Sequence, residues 1–234
     1  MGAKDIYIQL RAAGLTAEGA CGLMGNMQAE SAMRANIAQR GMTALTDEEY
    51  TRRADAGELD FACDAVGYGL CQWTFHTRKR ALLDFARACG TSVGDEKLQV
   101  EFCLRELRQD YPALSDFLRK TDSSYEAAAR VCHEYERPAV NNIEQRTFFA
   151  LNIADQARAE GWGNCAESDG AQAGQTDDLK ATLTNESVMH LQAILVTCGY
   201  NIGTQANATG IDGYIGKKTV AALKDFAARL EAMV

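Results

Sequence analysis

The sequence holds only two prolines and three histidines among 234 residues. With so few prolines, long stretches carry no helix breaker, and frequent alanine adds to the same expectation of a mainly helical protein. The histidines stand at 76, 133 and 190 without H-E-x-x-H spacing, and no two of the eight cysteines form a C-x-x-C pair. This argues against zinc hydrolases, zinc ribbons and thioredoxin-like redox chemistry, so no metal and no cofactor is expected. No run approaches the roughly 20 apolar residues of a membrane span, so no membrane insertion is expected. The opening MGAKDIYIQL lacks the apolar core of a secretory signal. Synthesis in the cytoplasm is the expectation, and action elsewhere would need another way out. Positive charge is also short: a net −8 argues against a nucleic-acid partner, whose phosphates need a basic face.

What is present is an apolar fraction of 47%, enough for a real core in one large domain or two unequal ones. Ile6, Leu10 and Ala13 share one face of a helix over 4–13, with Gly14 as its stop. Thr16 caps a second helix that buries Cys21, Leu23, Met24 and Met27 and runs to Glu30. Residues 31–68 lack helical periodicity except for a short helix near 46–53, and a long irregular segment in a compact domain is usually functional. It predicts the side of a cleft with a small β-hairpin, followed by a tight Gly67-Tyr68-Gly69 bend into Leu70-Cys71-Gln72-Trp73. Further helices are expected over 74–88, 95–108, 112–118, 124–135 (capped by Ser124) and 141–159 (capped by Asn141). Cys21, Cys103 and Cys132 fall at apolar helix positions, where a reduced thiol acts as a small hydrophobe.

Glu30 is the acidic residue at the end of the second helix. The negative end of the helix dipole disfavours its ionisation and helps to keep a carboxylic acid protonated. A proton-donating carboxyl just ahead of an irregular segment suits acid catalysis; a solvated Glu at a helix end is the other reading. Residues 161–180 are rich in Gly, Ala, Gln, Asp and Ser and read as a linker. A unit of about fifty residues follows, with helices over 187–198 and 218–232 around an Asp212-Gly213 turn. The expected domains are 1–162, a linker over 163–182, and 183–234.

Taken together, GNMQAES (25–31), EEYTRRADAG (48–57), AVGYGLCQWT (65–74), RKRALLDFA (78–86), Gln99 to Leu107 and Tyr135 to Pro138 resemble the phage tail lysozyme family of muramidases. The resemblance covers about residues 4–160. It implies a helical lysozyme-like fold with a small irregular or β region. It also implies cleavage of the β-1,4 bond between N-acetylmuramic acid and N-acetylglucosamine, with the family's catalytic Glu falling on Glu30. V-x-x-L-Q (188–192), Gly199-Tyr200 and Asp212-Gly213-Tyr214-Ile215-Gly216 resemble the three-helix peptidoglycan-binding domain of type 1. That implies bacterial cell-wall peptidoglycan as partner, held by Asp212 and Tyr214, although Tyr214 also suits the core of its module. A phage or prophage endolysin, released to the wall after synthesis, is the expectation that joins the two.

Glycosidic cleavage needs an acid and a second group to attack or stabilise the anomeric carbon. For the second, Asp64 is preferred for its nearness to the Gly67-Tyr68-Gly69 bend, ahead of Asp60 and Asp55. Gln72 suits a hydrogen bond to an N-acetyl group, and Tyr68 and Trp73 suit stacking on a sugar, with a core position the other reading of Trp73. Tyr135 and Glu136 are expected on the far side of the cleft, unless Glu136 pairs locally with Arg137 or Arg130. A lytic transglycosylase, needing one Glu and leaving 1,6-anhydro ends, and a catalytically silent wall-binding or tail protein are the alternatives.

Overall fold

The computed structural model describes residues 2–140, 142–163, 185–202 and 217–231. Two compact units, 1–154 and 155–234, divide the chain. Of the expected linker, only Gly163 lies within the described residues, and Asn141, Asp212 and Tyr214 lie outside them.

The first unit is helical. It contains α1 (Ala3–Ala12), α2 (Ala17–Ser31), α3 (Asp47–Ala56), α4 (His76–Cys89), α5 (Glu96–Asp110), α6 (Pro112–Leu118), α7 (Ser124–Arg130) and the start of α8 (Ile143–Ala159). Most boundaries follow local chemistry visible in the chain. Thr16 accepts from the Gly19 N–H at 2.9 Å and starts α2. Pro112 opens α6, where its missing N–H costs nothing. Gly57 and Gly90, both at positive φ, close α3 and α4. α7 is capped one residue earlier than expected, by Ser123, which accepts from the Glu126 N–H.

α2 is the central element, buried without a break from Gly19 to Met27. Its glycines carry a propensity cost of about 1 kcal/mol each relative to Ala. They are kept because neighbouring helices rest on its backbone. A Cβ on Gly22 would lie 2.2 Å from the Ala127 Cβ, and one on Gly25 would lie 2.6 Å from the Arg146 carbonyl oxygen. α7 and α8 can approach this closely only because no side chain intervenes. Ile6 and Leu10 of α1, Leu82 and Leu83 of α4, and Leu98, Phe102, Leu104 and Leu107 of α5 complete the core. The expected thiol positions follow: Cys21, Cys103 and Cys132 are buried.

Residues 32–75 wrap one side of this bundle. Single antiparallel bridges join Tyr68 to Ala38 and to Trp73, the remnant of the expected hairpin. Gln99 of α5 pins the segment. Its amide donates to the carbonyls of Ala35 at 2.7 Å and Val93 at 2.8 Å and accepts from the Leu70 N–H at 2.9 Å. Gly69 stands at φ 74° with its α-carbon against that side chain, leaving no room for a Cβ.

In the second unit α9 (Asn185–Thr197) and α10 (Lys217–Glu231) are described. Leu195, Ile202 and Ala222 form its core, with Tyr200 and Phe226 packed edge to face at 6.3 Å. Gln192 donates to the Thr219 hydroxyl across the two helices at 3.3 Å.

Candidate active site

Glu30 lies in the last turn of α2, where helix and irregular segment meet. Ala32, left-handed at φ 52°, closes the helix by donating to the Gln28 carbonyl. Ser31 fixes this end from below, with its hydroxyl at hydrogen-bond distance from the carbonyls of Met27 (3.0 Å) and Leu70 (3.1 Å). The Glu30 carboxyl thus enters an open groove of about 1460 Å³, whose walls also carry Gln39, Cys71, Gln72, Arg78 and Glu136. One side of the groove is the irregular segment, as its lack of periodicity predicts.

Backbone strain concentrates here. The non-glycine residues at positive φ among the described residues are Ala32, Met33, Ala65, Gln72 and Arg137. Four of them line the groove and Met33 adjoins one of the four. Such conformations cost of order 1–3 kcal/mol each and persist only where the surroundings impose them, most often at functional sites.

Glu30 is not left to its helix dipole. Arg146 of α8, 116 residues away, donates from Nη2 to its Oε1 at 2.6 Å. The other guanidinium nitrogen, Nη1, donates to the Asn26 side-chain oxygen at 3.0 Å. The Asn26 amide in turn donates to the carbonyls of Gly22 and Ala128. Arg146 is only 5% exposed, so this chain is an inward brace that presents Glu30 to the groove. Sequence reading missed Arg146. Its one trace was Asn26, a polar residue in an apolar run whose amide had to find partners if buried.

Glu136 reaches the same groove by a different route. α7 passes directly into a π-helical segment, Val131–Glu136, which ends at Arg137 in the left-handed region, with the Arg137 N–H bonded to the Cys132 carbonyl at 2.9 Å. A π-turn accommodates an extra residue and so changes the direction of the side chains that follow. The expected pairing of Glu136 with Arg130 or Arg137 does not occur. Arg130 pairs with Glu134, and the Arg137 Nε donates to the Glu134 carbonyl. Burial, then the negative charge of Glu30, push the Glu136 carboxyl up to about 8, against the opposing charges of Arg78 and Arg146.

Three expected site residues are placed elsewhere. Tyr68 and Trp73 are fully buried and have no face for a sugar. The Tyr68 ring packs between Tyr50 (5.4 Å) and Phe61 (5.2 Å), and its hydroxyl meets Thr51 Oγ1 at 2.7 Å. Trp73 donates from Nε1 to Glu106 at 2.8 Å and packs edge-on against Phe102. Asp64 is corrected as the second carboxylate. Its neighbours Cys63 and Ala65 face the groove, while its own carboxyl turns inward to Lys79 Nζ, the Tyr50 hydroxyl and the Val66 N–H. The runners-up fare no better: Asp55 accepts from Ser92 and Val93, and Asp60 is exposed outside the groove. Gln72 does line the groove, with its amide donating to the carbonyls of Ile37 and Gly69, so it braces the wall it belongs to. Tyr135 contributes to the wall with its hydroxyl donating inward to Glu106 at 2.6 Å and Arg78 4.6 Å above its ring.

Glu106, from α5, is the hub beneath the floor. It accepts from Trp73, Tyr135 and both Nε and Nη2 of Arg78. No group of His, Cys, Asp and Glu side chains among the described residues is arranged to hold a metal ion, and no helix there is long and apolar enough to cross a membrane.

A helical bundle with an open groove and two carboxyls in its walls defines a protein of the lysozyme type. The chain belongs to the phage tail lysozyme family, whose pattern matches residues 2–157, and it is accordingly a lysozyme-like peptidoglycan hydrolase. No curated protein matches it.

Proposed function

We propose that the protein hydrolyses the β-1,4 bond between N-acetylmuramic acid and N-acetylglucosamine, with Glu30 as the general acid. The observation that carries this reading is the placement of Glu30. It stands at the rigid end of the central helix, braced by Arg146, in a groove large enough for several sugar units. An acid held in fixed geometry can meet the leaving oxygen without reorganising. Gln72 and the neighbouring backbone supply polar contacts to the N-acetyl groups. Residues 183–234 attach the enzyme to the intact wall, with Asp212 and Tyr214 gripping peptidoglycan. The substrate is then the host wall, reached after the protein is released from the cytoplasm, as for an endolysin.

The decisive experiment is mass spectrometry of digested peptidoglycan. Reducing muramic acid ends are expected; 1,6-anhydro ends would identify a transglycosylase and remove hydrolysis from the proposal. A truncated chain, residues 1–165, is expected to keep its rate on soluble glycan fragments and to lose binding to whole walls in a pull-down assay. Equal wall binding by truncated and full-length protein would withdraw the role given to 183–234.

A further inference from the structure

Building on the muramidase reading, we infer that Glu136 is the second catalytic carboxyl of the groove, storing the proton that Glu30 delivers and then taking one from the attacking water. The sequence offers Asp64, Asp60 and Asp55 as this second group because they lie near the bend. The fold places all three outside the groove and brings in Glu136 from the opposite end of the domain.

Three observations converge on it. Glu136 and Glu30 line the same groove from different elements. The backbone that presents Glu136 is a six-residue π-helical segment closed by a left-handed Arg137, an arrangement that is rare and recurs at functional sites. Its Oε1 is buried and has no hydrogen-bond partner among the described residues. A buried carboxylate with an unpartnered oxygen is expensive, whereas the neutral acid tolerates the site.

The surrounding charges explain why it keeps its proton. Glu30 faces it from α2, Arg78 from α4 and Arg146 from α8, while the Cys71 thiol of the irregular segment, like the arginines, favours its charged form. Arg78 is engaged by the Glu106 carboxylate at 2.7 and 2.8 Å, and Arg146 by Glu30 and Asn26. Shared in this way, the two guanidinium charges offset only part of the effect of burial, and the charge of Glu30 repels a second negative charge.

At rest Glu30 is the carboxylate paired with Arg146, and Glu136 carries the proton. That proton passes to Glu30 through water in the groove, and Glu30 gives it to the glycosidic oxygen as the bond from that oxygen to C1 breaks. The water oxygen bonds to C1, and the proton it releases goes to the Glu136 carboxylate. One water has been added across the glycosidic bond, and the two carboxyls return to their starting state.

The test compares full-length wild type with Glu136→Gln, Glu136→Asp and Glu30→Gln on purified peptidoglycan. It reads reducing-end release against pH, wall binding, and melting temperature against pH. Wild-type rate is expected to fall on the alkaline side with a midpoint near pH 8, where the pair loses its proton. Glu136→Gln should bind walls normally and lose about 10²- to 10⁴-fold in rate. Glu136→Asp should recover part of it.

The melting profile is independent of activity. Unfolded Glu136 ionises near its ordinary 4.5, whereas the folded protein holds the proton to about 8. Between these values the folded state binds more protons, so stability falls as pH rises through this window. Glu136→Gln should lack that component. Wild-type rate with an unchanged alkaline limb in Glu136→Gln would overturn the inference, and so would a melting profile that tracks wild type. Should Glu136→Gln fail to fold, the wild-type and Glu136→Asp profiles decide, and a flat wild-type profile overturns the inference. Full activity of Glu30→Gln would sink the muramidase reading as well. An inactive Glu30→Gln beside a fully active Glu136→Gln removes the role of Glu136 alone.

Discussion

Glu30→Gln is expected to lose about 10²- to 10⁴-fold in the rate of wall clearing while keeping its fold. At 1.36 kcal/mol for each factor of ten, this is about 3–5 kcal/mol of transition-state stabilisation. The amide is close to the carboxyl in shape but cannot carry the proton to the leaving oxygen. Its side-chain oxygen can still accept from Arg146 Nη2, the bond that positions Glu30. The loss of charge beside a guanidinium that is 5% exposed costs about 1–3 kcal/mol of stability, a deficit that thermal melting will show. The substitution also removes one of the two causes that raise Glu136. The pH-dependent part of the melting profile should therefore move to lower pH. Turbidity clearing of whole walls measures the rate, and full clearing by Glu30→Gln would remove Glu30 as the acid.

Asp64→Asn is expected to act on stability and to leave the chemistry alone. Lys79 is fully buried in α4, where burial pulls its ammonium down from the usual lysine range and Asp64 opposes that pull. The ammonium also donates to the Tyr50 hydroxyl at 3.0 Å and the Val66 carbonyl at 2.6 Å, and lies 4.3 Å above the Phe61 ring. None of these supplies a countercharge. Removing one partner of a buried ion pair costs about 3–5 kcal/mol, because the other charge is stranded. For a chain of this size that lowers the melting temperature by roughly 6–20 °C. Adding Lys79→Met should restore much of it, since an apolar side chain of similar length needs no partner. Rate per folded molecule should be unchanged at a temperature where the variant is folded. A normal melting temperature with lost activity would return Asp64 to the catalytic machinery.

The two carboxylates Asp64 and Glu136 show where sequence reading stops. Asp64 has the right neighbours in the chain: Cys63 and Ala65 both face the groove. These residues lie in a turn that ends at Ala65 with φ 58°, and where the backbone reverses, residues adjacent in sequence can differ completely in what they meet. The sequence places Glu136 in the far wall, but it also suggests a local pairing with an arginine one or six positions away. A regular continuation of α7 would favour that reading. The π-helical segment overrides it, and nothing in V-C-H-E-Y-E announces a change of helix type.

Trp73 and Tyr68 fall between these cases. Flanking glycines and a following glutamine suit both a ligand-facing turn and a packed one. The choice was made by partners far along the chain, Glu106 and Phe102 for Trp73 and Thr51 for Tyr68. Gln99 belongs with them, since its role as the pin of residues 32–75 depends on three backbone groups it could not be seen to approach.

What the sequence by itself determined is local. Helix starts such as Thr16 and Asp95, stops such as Gly57 and Gly90, the apolar faces of α1, α2 and α5, and the irregular stretch that walls the groove all follow from interactions within a few residues. Glu30 at the end of α2 belongs to this set. Its surroundings do not. Arg146 reaches Glu30 across 116 residues, and Tyr135 reaches Glu106 across 29, because helices packed on the bare backbone of α2 bring distant side chains within hydrogen-bond range. Spacing along the chain governs propensity and capping, whereas charge and desolvation act through space. The tertiary structure alone therefore decided which carboxyl shares the groove with Glu30 and which one is spent on a buried lysine.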